Sequence, residues 1–134
     1  MRYLSAEEIL VIHDETIEKE DGILGIRDVG LLYSLTERPK MAMMGQEFYP
    51  DIFSKAAVIL EGLATYHVFT DGNKRTAFIA CMVFLGLNGY DVTAPLDSTH
   101  RFILAVAQKK MDMPKIVAWL KKNSRNIAKE KSHL

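Results

Sequence analysis

The stretch His67-Val68-Phe69-Thr70-Asp71-Gly72-Asn73-Lys74-Arg75-Thr76 divides two apolar segments, and its reading decides the fold. Before it, Phe53, Ala56, Ala57, Leu60, Leu63, Ala64 and His67 recur at the three-and-four spacing of one helix face, with Asp51 placed to cap. After it, only Gly86 between Ala77 and Leu87 is not hydrophobic, which predicts the central, buried helix of a bundle. Asp71-Gly72 breaks the first helix and Asn73 or its neighbour starts the second. His67 closes an apolar stripe, so its position alone favours a buried, structural imidazole.

The flanks extend the helical pattern. Ser5 can cap a first helix with Glu8 completing a capping box, while Leu4 and Ile9 can form a hydrophobic staple. That helix is predicted to run to about Lys19, with Ile9, Ile12, Thr16 and Ile17 inward and His13 as a core or edge histidine. Glu20 to Ile26 carries two glycines and reads as a loop. Asp28 can cap a second helix with Leu31, Leu32 and Leu35 inward, which Pro39 should end near Arg38. Residues 40–50 read as a loop or short flap hairpin holding Met41, Met43, Met44, Phe48 and Tyr49. They form either a lid over the core or a flexible surface that grips another chain.

Asn88-Gly89 should close the apolar helix and Tyr90 to Pro95 connect it onward. A fifth helix is expected from Asp97 or Ser98 with Phe102, Ile103 and Val106 inward. A sixth opens at Asp112 and Pro114 with Ile116, Val117 and Leu120 inward. No period-two alternation of useful length occurs. The fold class expected is all-α, one domain over residues 1–134 with about six helices, a core at 4–122 and a frayed tail at 123–134.

A chain of 134 residues can bury about two-thirds of its unfolded surface. Lys plus Arg and Asp plus Glu are both 17, so the formal charge is zero and no direct nucleic-acid role is expected. The one cysteine, Cys81, lies in the most apolar segment and reads as core filling. The start lacks the layout of a signal peptide and no apolar run spans a bilayer, so a cytoplasmic protein without a membrane partner is expected.

The central loop has the chemistry for a magnesium-bound nucleotide phosphate. Lys74 and Arg75 stand near a helix N-terminus, where the macrodipole disfavours cations. An anion between them reverses that penalty, because free backbone N–H groups also favour negative charge there. Asp71 is a hard oxygen ligand, and Gly72 allows close backbone approach. Asn73 can donate to a phosphate or hold the loop by bonding backbone. Imidazole is the side chain suited to taking a hydroxyl proton near neutrality, which gives His67 a second possible role. Phe69 should anchor the loop in the core. Equally, Asp-Gly-Asn is ordinary turn chemistry and Lys-Arg pairs are commonly solvated. A Walker A loop is excluded because Phe69 stands where its glycine belongs and no strand precedes it. The four histidines lack zinc-ligand spacing.

His67 to Arg75 resembles the signature of the Fic/Doc superfamily, His-x-Phe-x-(Asp/Glu/Asn)-x-Asn-(Gly/Lys)-Arg. The resemblance extends from the Ser-x-Glu-Glu-Ile opening and Gly25-Ile26-Arg27-Asp28 to Gly89. Fic members transfer AMP from ATP to a protein hydroxyl, and commonly have Gly where this chain has Lys74 and a second Arg where it has Phe78. At both positions this chain resembles the death-on-curing (Doc) branch, toxins that transfer the γ-phosphate of ATP to elongation factor Tu and stop translation. The resemblance implies His67 as general base and Asp71 as the magnesium ligand. It implies Gly72, Asn73, Lys74 and Arg75 as the ATP phosphate site, and residues 40–50 as the flap that aligns the target. It also implies a Phd-like antitoxin as partner. Self-inhibited members carry (Ser/Thr)-x-x-x-Glu-(Gly/Asn) in the same chain. Here Thr16 to Glu20 is followed by Asp21 and reads as chance, so inhibition by another chain is expected. The competing functions are Fic-type AMP transfer and a non-catalytic nucleotide-binding or adaptor module.

Overall fold

A computed structural model describes residues 1–127, and within them the chain forms six α-helices. These are α1 (Ala6–Glu20), α2 (Val29–Glu37), α3 (Ile52–Thr65), α4 (Asn73–Leu87), α5 (Leu96–Ala107) and α6 (Met113–Lys122). The all-α bundle expected from periodicity is the observed fold. None of these helices is long and apolar enough to cross a membrane.

Local chemistry explains the helix starts. The Ser5 hydroxyl accepts from Glu8 N–H and the Glu8 carboxylate accepts from Ser5 N–H, which is the expected capping box. Leu4 and Ile9 are both buried beside it. Asp28, Asp51 and Asp112 cap α2, α3 and α6 through their side chains. Pro39 ends α2 by tightening the chain into a 3₁₀ turn at Arg38–Lys40.

The central position belongs to α3, not to α4 as the apolar run predicted. Every residue of α3 from Lys55 to Leu60 and from Gly62 to Thr65 is buried. In α4, Ala77, Ala80, Cys81, Phe84 and Leu85 face the core, while Val83 and Leu87 reach solvent. Ile79 and Val83 line a shallow groove against α1. An all-apolar helix has two faces to satisfy, and α3 covers one of them.

Two pairs of very short strands complete the fold. In residues 40–50, β1 (Ala42–Met43) pairs antiparallel with β2 (Gln46–Glu47). Met44 and Gly45, at φ 53° and 79°, form the two-residue turn with left-handed backbone that such hairpins favour. The hairpin does not cover the core, because Met41, Met43, Met44 and Phe48 are all exposed. The lid reading is therefore overturned.

The second pair, β3 (Tyr90–Val92) and β4 (Ser124–Asn126), is also antiparallel. The expectation that the chain frays from 123 fails up to Asn126, where the backbone pairs with the segment after α4. Three-residue strands are too short to show a period-two pattern. The rest of the expected tail, 128–134, lies outside the described residues.

Candidate functional site

The loop between α3 and α4 is held from three sides. Thr70 N–H donates to Gly25 O at 3.1 Å, and Arg27 N–H and Asp28 N–H both donate to Val68 O. This backbone pairing, with the Ile26–Phe69 bridge, ties the loop to the chain between α1 and α2. A Cβ on Gly25, at φ +140°, would stand 2.9 Å from Thr70 Oγ1, so a side chain there would push the two segments apart. From below, Phe69 is buried, as expected of an anchor, and its ring stacks on His13 at 3.8 Å and 10°. From the α4 side, the Asn73 carboxamide accepts from Phe69 N–H at 3.0 Å and donates to Phe69 O at 2.9 Å.

His67 is not where the apolar stripe put it. The helix stops at Thr65, Tyr66 caps it, and His67 takes a left-handed backbone at φ 51°. That turn swings the imidazole off the buried face, so the residue is exposed and has no hydrogen bond to the described residues. The periodicity continued two residues past the helix end, which is why the stripe misled.

Asp71 is exposed, yet every oxygen it owns has a donor. Its Oδ1 accepts from Gly72 N–H at 2.9 Å and its Oδ2 from Ile23 N–H at 3.1 Å. Its carbonyl faces His13 Nε2 at 2.8 Å. Gly72 follows at φ +76° and serves as the N-cap of α4, which receives no side-chain cap. Asn73, Lys74 and Arg75 form the first turn with no acidic residue among them. The first N–H groups of this helix thus lack intrahelical acceptors, and two exposed cations stand at the positive end of its dipole.

His67, Asp71, Gly72, Asn73, Lys74 and Arg75 all line one groove of about 1020 Å³ between α4 and α5. That volume is at the upper end of small-molecule sites, roughly 300–1,000 Å³. Its far wall is apolar, formed by Phe78, Met82, Ile103 and Leu104 with His100 among them. Phe78 meets Trp119 edge-on at 6.5 Å. All six sequence-derived candidates therefore share one cleft. Asn73 enters with its carboxamide already committed to Phe69, the second of the two roles its chemistry allowed.

The residues that sequence reasoning undervalued come from α1 and the following loop. Glu20 forms an ion pair with Arg75, although the run from Thr16 to Glu20 read as chance. His13 holds the loop from beneath, 58 residues away in sequence. Their helical spacing alone carried no signal of these partners. Among the described residues no group of three or more His, Cys, Asp or Glu side chains is placed to hold a metal, so a cation here would rest on Asp71 and on ligand oxygens. Cys81 lies buried beneath α4 with its thiol pushed up to about 12 by burial, which makes it inert as a nucleophile.

The sequence matches the Fic/DOC family over residues 3–85. It is 36% identical over 120 residues to the toxin Doc of Mycolicibacterium smegmatis, covering 88% of this chain and 90% of that one. It is also 36% identical over 92 residues to the protein kinase doc of Escherichia phage P1, covering 69% and 72%.

Proposed function

This chain belongs to the Fic/Doc family, as a toxin of the Doc type, and on that premise we propose that it transfers the γ-phosphate of ATP to a hydroxyl of a target protein. By resemblance the target is elongation factor Tu, and translation stops. One observation carries the reading: the first turn of α4 has no side-chain cap, and Lys74 and Arg75 stand at the end of its dipole that favours anions, with Glu20 beside Arg75 and no acidic partner for Lys74 among the described residues. Phe78, one turn on, is packed against Trp119 and offers no second cation along the phosphate chain. Lys74 present and that cation absent favour phosphate transfer over AMP transfer.

The exposed His67 imidazole takes the proton from the target hydroxyl as its oxygen bonds to the γ-phosphorus. The bond from that phosphorus to the bridging oxygen breaks, and ADP leaves. Lys74, Arg75 and the N–H groups of Asn73 to Arg75 bind and orient the phosphates and stabilise their charge, while Gly72 N–H stays on the Asp71 carboxylate. Asn73 contributes through its backbone while its side chain fixes the turn. Asp71 offers a carboxylate oxygen for magnesium, which when bound neutralises phosphate charge. The phosphates compete with Glu20 for Arg75. The exposed hairpin at 42–47 flanks the target chain, and a Phd-like antitoxin silences the enzyme from a separate chain. The setting is the cytoplasm, where ATP and the target are found.

The test is mass spectrometry of elongation factor Tu after incubation with the protein, magnesium and ATP labelled at the α or the γ position. The expected result is a gain of one phosphate carrying the γ label, abolished by His67→Ala. A gain of AMP would replace this reading with adenylyl transfer. No modification of any target, with harmless expression independent of His67, would leave a non-catalytic module.

A further inference from the structure

His13 has no place in the phosphate transfer described above, yet it is the most constrained titratable side chain beneath the site. It is fully buried on α1 and stacked flat on Phe69. Its Nδ1 lies 3.0 Å from Asp14 Oδ1 and its Nε2 lies 2.8 Å from Asp71 O. A carbonyl oxygen only accepts, so Nε2 carries the proton in that contact.

We propose that His13 is a positioning residue for Asp71, fixing the direction of its carboxylate through the backbone. The peptide group that accepts from His13 at Asp71 O is the same group that donates from Gly72 N–H to Asp71 Oδ1. The peptide is planar and conjugated, so pulling on its oxygen makes its N–H a stronger donor. The chain of bonds runs from imidazole N–H to carbonyl, through one peptide, to the carboxylate. Ile23 N–H grips the other carboxylate oxygen at 3.1 Å. A Cβ on Gly22 would lie 2.8 Å from that same oxygen, so the loop before Ile23 is shaped around the carboxylate. Asp71 is thus aimed from both ends by α1 and the loop that leaves it.

The close approach of α1 makes this aim rigid. A Cβ on Gly72 would lie 2.9 Å from Ile17 Cδ1 and 3.9 Å from His13 Cδ2, so the turn rests directly on the α1 side chains. The stacking on Phe69 leaves the imidazole no room to rotate away. His13 touches neither phosphate nor target in this arrangement and acts only through Asp71. The inference rests on the proposed reading of Asp71 as the magnesium ligand.

The experiment measures ATP affinity by calorimetry with magnesium and with chelator, on the full chain and at a temperature where each variant is folded by circular dichroism. The ratio of the two affinities reports how well Asp71 presents its oxygen. His13→Leu should lose tenfold or more of the magnesium-dependent gain, in line with other residues that orient metal ligands, with chelator-measured affinity nearly unchanged. His13→Gln, whose amide N–H can reach the position of Nε2, should recover most of the gain. His13→Asn, polar but too short, should not, and it covers the case in which leucine disrupts the fold. In the nitrogen–proton spectrum the Gly72 amide should shift in the leucine and asparagine variants and stay near its wild-type position in the glutamine variant.

A magnesium gain preserved in folded His13→Leu and His13→Asn would overturn the positioning role while leaving Asp71 as the ligand. A wild-type protein that binds ATP equally with magnesium and with chelator would overturn the metal reading of Asp71, and the inference with it.

Discussion

Glu47→Ala should destabilise this protein more than Lys55→Met, although Lys55 is the buried partner of the pair. Lys55 on α3 is 1% exposed, and its Nζ donates to Pro39 O at 2.9 Å and to Glu47 Oε1 at 2.8 Å. It thereby ties the hairpin and the 3₁₀ turn to the central helix. Removing one side of a buried ion pair costs about 3–5 kcal/mol, because the other charge is stranded. Glu47 is 47% exposed at its side chain, so water reaches the open end and the cost of Glu47→Ala falls to about 2 kcal/mol. Lys55→Met keeps the aliphatic stem and removes the charge, so lost hydrogen bonds and recovered desolvation cancel to within about 1 kcal/mol. The double variant should resemble Lys55→Met, giving a coupling of about 2 kcal/mol. Urea denaturation at constant slope measures all four proteins. Hydrogen exchange at Phe48 N–H, which donates to Met41 O, reports the hairpin separately. Additive costs in the double variant would refute the reasoning, as would a Glu47→Ala protein as stable as wild type.

Gly72→Ala should cost about 2–3 kcal/mol, from a left-handed backbone and a Cβ 2.9 Å from the buried Ile17 Cδ1. A urea midpoint within experimental error of wild type would show that the turn relaxes more freely than the packing implies. Cys81, with its thiol near 12, should react with an aromatic disulfide reagent at least about a hundredfold more slowly in buffer than in urea. Rapid native labelling would contradict its burial. The Glu8 carboxyl is held down to about 2, first by the Arg2 hydrogen bond and then by Ser5 N–H. Its unfolded value is about 4.3, so its stabilisation is present above that pH and fades as pH falls toward 2. The stability difference between wild type and Glu8→Gln should therefore shrink over that window, and a constant difference would remove the carboxylate as its source.

The helices were legible because their causes are local. Ser5 with Glu8, Asp28, Asp51 and Asp112 act within one turn, and the apolar spacing of α3 repeats along its own length. The motif at 67–75 was equally legible, since the residue types suited to phosphate chemistry stand side by side. The three-residue strands at 90–92 and 124–126 were not, because each is too short for a period and its partner is distant.

By itself, then, the sequence determined a helical domain, the junction proposed to carry the chemistry, and the identity of the groups in it. Only the tertiary structure decided how those groups are presented. A left-handed turn at His67 moved its imidazole from the core side to the groove, against the stripe it appeared to finish. Asn73 spent its carboxamide on Phe69, and Glu20 came to rest on Arg75. His13 reached the carbonyl of Asp71 and Ile23 its carboxylate, across 58 and 48 residues. Periodicity and capping follow from bonds within a few positions of the chain. Which carbonyl a buried imidazole meets follows from the packing of one helix under another loop, and no local pattern encodes that distance.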